Sequence, residues 1–160
     1  LLQAALTGSD IGLISEAGMP AIADPGSSVV RAAHTLGIEV IPLVGPISIM
    51  LALAASGLNG QNFAFVGYLP QDAEQRIKRI KELETLSRQT HQTQLFIETP
   101  YRNAALLKVL LQTLNPHTHL SLSLGLTLDE ATTCSQKVAS WRENQAELPI
   151  SLPAVFSILG

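Results

Sequence analysis

The chain has 160 residues, of which 46% are hydrophobic and 14% charged, and this composition excludes intrinsic disorder and a core that depends on disulfides or a metal. A single cysteine, Cys134, excludes a disulfide framework and a cysteine-based zinc site, and favours a reducing, cytoplasmic setting. The formal net charge is only −3 and no apolar run approaches the roughly 18 residues of a membrane helix, so we expect a soluble protein that would bind a polyanion through a local basic patch.

The first 60 residues predict a parallel sheet layered by helices. Residues 1–8 have the pattern of the last two turns of a helix, so we expect the chain to be an N-terminally truncated fragment of a longer protein. Short apolar runs at 11–15 and 38–44 are typical of buried parallel strands. The helices that follow these strands are predicted from an N-cap at Asp24 to Gly37, and from Gly45 to Gly57.

The character of the chain changes near residue 60. Residues 1–60 contain one basic residue, Arg31, whereas residues 76–102 contain six. We predict residues 1–60 to be the C-terminal part of a first α/β lobe and residues 61–160 to be a second α/β lobe. The last strands of the second lobe follow one another without long crossovers, which predicts a mixed sheet. Its strands are predicted at 63–68, 94–98, 120–124, around 131–135 and at 154–159, and its helices at about 73–86, at about 102–114 and around Trp141.

Three strand ends carry candidate site residues. Residues 15–20 form a turn at the carboxyl end of a predicted strand, where parallel sheets bind ligands, and Gly18 lets the backbone approach a ligand closely. Ser48 lies in the first turn of a helix, where its hydroxyl group either binds a small polar ligand or only caps the helix. Glu98 and Arg102 flank a strand-to-helix turn, where they either bind and polarise a substrate or form a structural ion pair.

Several other chemistries lack their motifs. The sequence has no G-x-S-x-G elbow, no G-x-x-x-x-G-K-[ST] phosphate loop and no G-x-G-x-x-G fingerprint. The histidines lack the spacing of metal ligands, so no metal site is predicted. The basic stretch at 76–81 lies on an amphipathic helix and is either a solvated face or a surface that tracks phosphates.

Five motifs, in order along nearly the whole chain, resemble those of the tetrapyrrole (corrin/porphyrin) methylase superfamily. They read S-E-A-G-M-P-A-I-A-D-P-G at 15–26, P-L-V-G-P-I-S at 42–48, A-A-S-G-L at 54–58, F-V-G-Y-L-P at 65–70 and I-E-T-P-Y-R at 97–102. The branch most similar to them is that of the ribosomal RNA ribose 2′-O-methyltransferases of the small subunit, which modify cytidine. The resemblance implies a two-lobed α/β fold of the class III methyltransferase type, S-adenosylmethionine bound between the lobes, and a homodimer.

The resemblance also implies which residues contact the cofactor. In three places this chain departs from the family pattern. Glu16 and Met19 stand where the branch has Asp and Thr, and Gly125-Leu-Thr-Leu-Asp129 stands where it has E-L-T-K. The N-terminal glycine-rich strand end of the family is also absent, as expected for a truncated chain. Carried over position by position, the cofactor-binding residues are Ser15, Glu16, Gly18, Met19, Ser48, Ile49, Ile97, Pro153 and Ala154.

Three functional hypotheses follow. The first is an S-adenosylmethionine-dependent methyltransferase acting on a ribose 2′-hydroxyl of ribosomal RNA, a nucleophile weak enough to need a positioned base. Glu98 is then the basic or polarising group, and Arg102 holds the substrate. The second is a methylase of a tetrapyrrole or another small molecule, favoured by the missing E-L-T-K motif. The third is a catalytically inert module for cofactor binding or dimerisation, because a sheet that lacks a strand leaves an exposed edge.

Overall fold

The computed structural model describes residues 2–144, 148 and 150–160. By its internal contacts the chain divides into two compact units, Leu1–Ile47 and Ser48–Gly160. No helix within the described residues is long and apolar enough to cross a membrane. The helices are α1 (Gln3–Leu6), α2 (Ser27–Thr35), α3 (Ser48–Ser56), α4 (Ala73–Thr90), a 3₁₀ turn (Pro100–Arg102), α5 (Asn103–Thr113) and α6 (Val138–Glu143). The strands are β1 (Phe63–Tyr68), β2 (Thr93–Glu98), β3 (His119–Leu124), β4 (Thr132–Lys137) and β5 (Ala154–Leu159).

The first unit contains helices α1 and α2 but no strand among its described residues. The strands predicted at 11–15 and 38–44 are therefore wrong, and so is the parallel first sheet that they were expected to form. Apolar residues alone do not make a strand, because its amides and carbonyls need the hydrogen bonds of a neighbouring strand. Neither segment has such a neighbour among the described residues, and Ile14, Leu43 and Val44 are exposed.

Helix α2 shows which local signals worked in this unit. Its N-cap is Gly26, not Asp24, because Gly26 makes the entering turn with a φ of 140° that side-chain-bearing residues avoid. Its end is as predicted: Gly37 has a φ of 70° and its amide donates to the carbonyl of His34, while the Ile38 amide donates to Ala33. This is the usual glycine-terminated end of a helix.

The second unit is built on one five-stranded mixed sheet with the order β1-β2-β5-β3-β4. Strands β1 and β2 are parallel and joined through α4, and every other neighbouring pair is antiparallel. All five strands lie within two residues of their predicted positions, and the predicted mixed sheet is confirmed. The carboxyl ends of β1, β2 and β3 and the beginning of β5 meet at one edge of this sheet.

Alternation along the strands gives the sheet two different faces. On β3, the leucines at 120, 122 and 124 point to one face and the serines at 121 and 123 to the other. The leucine face packs with α4, α5 and α6 around the main hydrophobic core, in which the rings of Phe96 and Phe156 stack 5.8 Å apart. This core fixes the strands that carry the candidate site.

Helix α3 packs on the serine face of the sheet, against β3, β4 and β5. One side of the helix is buried, and the Ser135 hydroxyl donates to the carbonyl of Ser56 at 2.6 Å. Small serine side chains let a helix rich in alanine approach the sheet closely. Residues 48–60, which the sequence places in the first lobe, thus pack with the sheet of the second unit, and the lobe boundary at residue 60 stays a prediction.

Candidate functional site

A pocket of about 260 Å³ opens at the edge where the carboxyl ends of β1, β2 and β3 meet the beginning of β5. Ligands of α/β sheets bind at this edge because the loops leave a crevice there. The pocket contains one carboxylate, several hydroxyl groups and an apolar wall. It is lined by Ser48, Tyr68, Ile97, Glu98, Thr99, Pro100, Ser123, Leu126, Pro153, Ala154 and Val155.

Tyr68 reaches this pocket because of a bulge in β1. Phe65 pairs with Leu95, and Tyr68 pairs with Ile97. A step of three residues on β1 therefore matches a step of two residues on β2. The extra residue is accommodated at Gly67, whose φ of 74° lies in the left-handed region. Since strand side chains alternate between faces, a regular strand would place Gly67 opposite Ile97 and turn Tyr68 to the other face. The bulge therefore gives the pocket an aromatic side chain that is 60% exposed.

Glu98 and Arg102 form a buried ion pair at the end of β2. The Glu98 side chain is 2% exposed, and its Oε1 accepts from Arg102 Nη2 at 2.8 Å and from Arg102 Nε at 3.0 Å. The same oxygen accepts from the Thr99 amide at 2.7 Å. This is the structural ion pair that the sequence left open, and it holds the turn that lines the pocket. Arg102 itself is not among the lining residues.

The neighbouring part of the pocket lining is formed by Pro153 and Ala154, where β5 begins. Ala154 pairs with Glu98 on β2 and with Leu124 on β3, so it is fixed from both sides. The Gly125 amide donates to the carbonyl of Pro153 at 2.9 Å. Ser123 lies below them, nearly fully buried, with its hydroxyl 2.9 Å from that of Thr133. The wall is thus held by backbone pairing, and its chemistry is apolar with hydroxyl groups.

The predicted cofactor loop belongs to the first unit. The Ser15 hydroxyl donates to the carbonyls of Ala17 and Gly18 at 3.2 and 3.1 Å, which closes a tight turn. Gly18 has a φ of 72°, Glu16 is exposed and Met19 is half-buried. Ser15 therefore stabilises the turn, and cofactor contacts from this loop stay a prediction. The same unit carries a shallow depression lined by Ala21, Ser27, Val30, Arg31, His34 and Thr35, none of which was predicted as a site residue.

Five of the predicted site residues line this pocket in the second unit, and two lie beside it. Ile49 is 4% exposed and buried between α3 and the sheet, and Arg102 lies behind Glu98. Six lining residues were not predicted from the sequence: Tyr68, Thr99, Pro100, Ser123, Leu126 and Val155. A glycine inside a predicted strand was a usable signal for Tyr68, because it marks a bulge. The five that line the pocket are Ser48, Ile97, Glu98, Pro153 and Ala154.

Cys134 takes no part in the pocket. It lies on β4 opposite Leu122, and burial raises the pKa of its thiol, so the thiol stays protonated near neutral pH.

Comparison with known proteins gives close relatives by sequence. No family model matches the chain. It is 36% identical over 127 residues to "Ribosomal RNA small subunit methyltransferase I" of Vibrio cholerae serotype O1, covering 79% of this chain and 43% of that protein. It is 32% identical over 149 residues to the protein of the same name from Pasteurella multocida, covering 93% of this chain and 52% of that protein. The chain therefore spans about half the length of the curated relatives it matches.

Two solved structures share the fold. The crystal structure of the methyltransferase CobJ superposes with a TM-score of 0.63 at 17% identity, covering 99% of this chain and 68% of that one. The uroporphyrin-III-C-methyltransferase of Thermus thermophilus superposes with a TM-score of 0.51 at 19% identity, covering 89% of this chain and 60% of that one. The resemblance seen in the motifs is confirmed: over most of its length the chain is similar to ribosomal RNA small subunit methyltransferases I, and it shares the fold of CobJ and of a uroporphyrin-III-C-methyltransferase.

Proposed function

We propose that this chain acts in the S-adenosylmethionine-dependent methylation of ribosomal RNA, at a ribose 2′-oxygen. The observation that carries the proposal is the pocket at the carboxyl edge of the sheet, in which five residues singled out from the sequence come together. The relatives' name supports the reaction and the substrate class.

The pocket has the chemistry that S-adenosylmethionine requires. Ile97, Pro153 and Ala154 offer an apolar wall for a nucleoside, and the hydroxyl groups of Ser48 and Ser123 offer hydrogen bonds to it. The one carboxylate, Glu98, is already paired with Arg102. The pocket volume of about 260 Å³ is smaller than the roughly 300–1,000 Å³ of typical ligand pockets, so we expect this pocket to hold only a part of the cofactor.

In the proposed two-lobed enzyme, Ser15, Glu16, Gly18 and Met19 of the first lobe and Ile49 supply further cofactor contacts. S-adenosylmethionine supplies an electrophilic methyl group when it is bound. The contribution of this chain is then to align the acceptor oxygen and to exclude water, because both lower the barrier without further covalent chemistry.

Glu98 remains the candidate for the group that polarises the acceptor. Arg102, which the sequence predicts to hold the substrate, lies behind Glu98 and does not line the pocket. Its ion pair favours a second role, in which the two residues fix the turn at Thr99 and Pro100. A cytoplasmic location, RNA as partner and a homodimer are further parts of the proposal.

A methyl-transfer assay tests the function. The chain is incubated with S-adenosylmethionine labelled in the methyl group and with small-subunit ribosomal RNA, and retained label is counted. Ser48 is exposed at the first residue of α3, so Ser48→Trp fills the pocket without entering the core. We expect this variant to lose at least about tenfold in transfer. Ala73→Trp, at the exposed first residue of α4, is the matched control and keeps the wild-type rate.

A small-molecule methylase is the second candidate. The segment 125–129 favours it, because it lacks the acid and lysine of the RNA branch. Transfer of label to a tetrapyrrole pool and not to RNA would replace the proposed substrate. Binding of the cofactor with no transfer to either pool would favour an inert module for cofactor binding or dimerisation.

A further inference from the structure

The wall of the pocket at Pro153 is tied to the beginning of α5 by one buried side chain. Asn103 is fully buried at the first position of α5, directly after Arg102. Its Nδ2 donates to the carbonyl of Ile150 at 2.9 Å and to that of Leu152 at 2.8 Å. These carbonyls belong to the segment that leads into Pro153 and Ala154.

The orientation of the Asn103 amide is fixed by its partners. Two carbonyl oxygens are acceptors only, so they must face the NH₂ group and not the amide oxygen. That oxygen is buried and has no hydrogen-bond partner among the described residues. A buried oxygen without a partner lowers stability. The position nevertheless suits asparagine, because its NH₂ group supplies the two donors that the two carbonyls require.

The tie closes a loop of contacts around the pocket. Arg102 holds Glu98 on β2, Asn103 holds the segment at 150–152, and the Gly125 amide at the end of β3 holds the carbonyl of Pro153. Two consecutive residues, Arg102 and Asn103, therefore hold two parts of the pocket lining: the turn after β2 and the segment that leads into β5. Space at this corner is small, since a Cβ on Gly125 would lie 2.8 Å from Leu152 Cδ1.

We propose that Asn103 is a positioning residue for the cofactor, which sets the Pro153 wall before the ligand arrives. This inference rests on the proposed function, because it takes S-adenosylmethionine to be the occupant of the pocket. A wall that must be ordered during binding costs affinity, whereas a wall that is ordered beforehand does not. Removal of the two donors should therefore lower the affinity for the cofactor, beyond any effect of a general loss of stability.

The test compares Asn103→Ala with Ser87→Ala in the same chain. Ser87 is also fully buried, and its Oγ accepts from the Gly160 amide at 2.9 Å, at the far end of β5 from the pocket. The strand between these ends is about 17 Å long. Each variant loses a buried hydrogen-bonding side chain, but only Asn103→Ala frees the wall.

Calorimetric titration with S-adenosylhomocysteine gives the first readout. We expect Asn103→Ala to bind about tenfold more weakly than wild type and Ser87→Ala to bind as wild type does, while both lower the melting temperature. Amide exchange gives the second readout: the Gly125 amide exchanges faster in Asn103→Ala only. Should Asn103→Ala fail to fold, Asn103→Ser, which keeps one donor, takes its place with a smaller loss expected.

The outcomes separate this inference from the function on which it rests. Wild type that binds S-adenosylhomocysteine, with Asn103→Ala equally tight, overturns the positioning role and leaves the proposed function standing. An equal loss of affinity in Ser87→Ala also overturns the role, because it traces the loss to stability. Wild type that does not bind overturns both.

Discussion

At the scale of single residues, the ion pair at the end of β2 decides how the pocket turn is held. The Glu98 side chain is 2% exposed and the Arg102 side chain 26%, whereas in the surface pair of Arg79 and Glu82 they are 43% and 49% exposed. Charges in water gain little from pairing, but a buried carboxylate that loses its partner keeps the full cost of its desolvation. The i, i+4 spacing of Glu98 and Arg102 was visible in the sequence. The burial of Glu98, which makes the pair important for stability, was not.

This difference predicts unequal costs for two otherwise similar substitutions. Arg102→Met should lower the free energy of unfolding by about 2–3 kcal/mol, because it leaves the Glu98 carboxylate buried and unpaired. Arg79→Met, the control, should cost less than about 0.5 kcal/mol. Adding Glu98→Gln to Arg102→Met should restore part of the loss, since no charge then remains buried. Urea denaturation measures all three, and equal costs for Arg102→Met and Arg79→Met would refute a stabilising role for the buried pair.

At the scale of elements, the bulge in β1 shows how one glycine places a side chain at the site. The boundaries of β1 follow from its apolar and aromatic run, and they were predicted correctly. The change of register between Phe65 and Tyr68 depends on pairing with β2, which lies thirty residues further along the chain. The sequence alone therefore predicted the strand but not which face Tyr68 occupies.

Gly67→Ala tests the conformational demand of this bulge. A Cβ at Gly67 would meet nothing within 4 Å, so the cost comes from its φ of 74° and not from crowding. We expect the free energy of unfolding to fall by about 1–2 kcal/mol. Gly60→Ala is the matched control, with equally open space and no positive φ, and should change it by less than about 0.5 kcal/mol. Equal effects of the two substitutions in chemical denaturation would contradict the argument.

At the scale of the whole molecule, the strands predicted from local sequence patterns agree with the structure only where each strand also has a partner strand. In the second unit each strand has a partner strand, so predicted and observed elements agree closely. In the first unit the apolar runs at 11–15 and 38–44 satisfied the pattern of strands, but their backbones have no neighbouring strand among the described residues.

The same distinction holds for the site. Ser48 and Ile97 lie in short motifs that resemble those of the family, and Pro153 and Ala154 were carried over by their position at the start of a predicted strand. Asn103 has no local signal, because its partners lie 47 and 49 residues further along the chain. Residues that act through such distant carbonyls become visible only when the fold is known.

The most direct test of the account is to map S-adenosylhomocysteine on the ¹⁵N-labelled chain by NMR. We predict saturable shifts of the amides of residues that line the pocket: Tyr68, Ile97, Ser123 and Val155. The control amides are those around Ser87 and Gly160 at the far end of the sheet, which should not move. Shifts confined to the depression around Arg31 and His34, or no saturable shift at the pocket, would contradict the claim that this pocket binds the methyl donor.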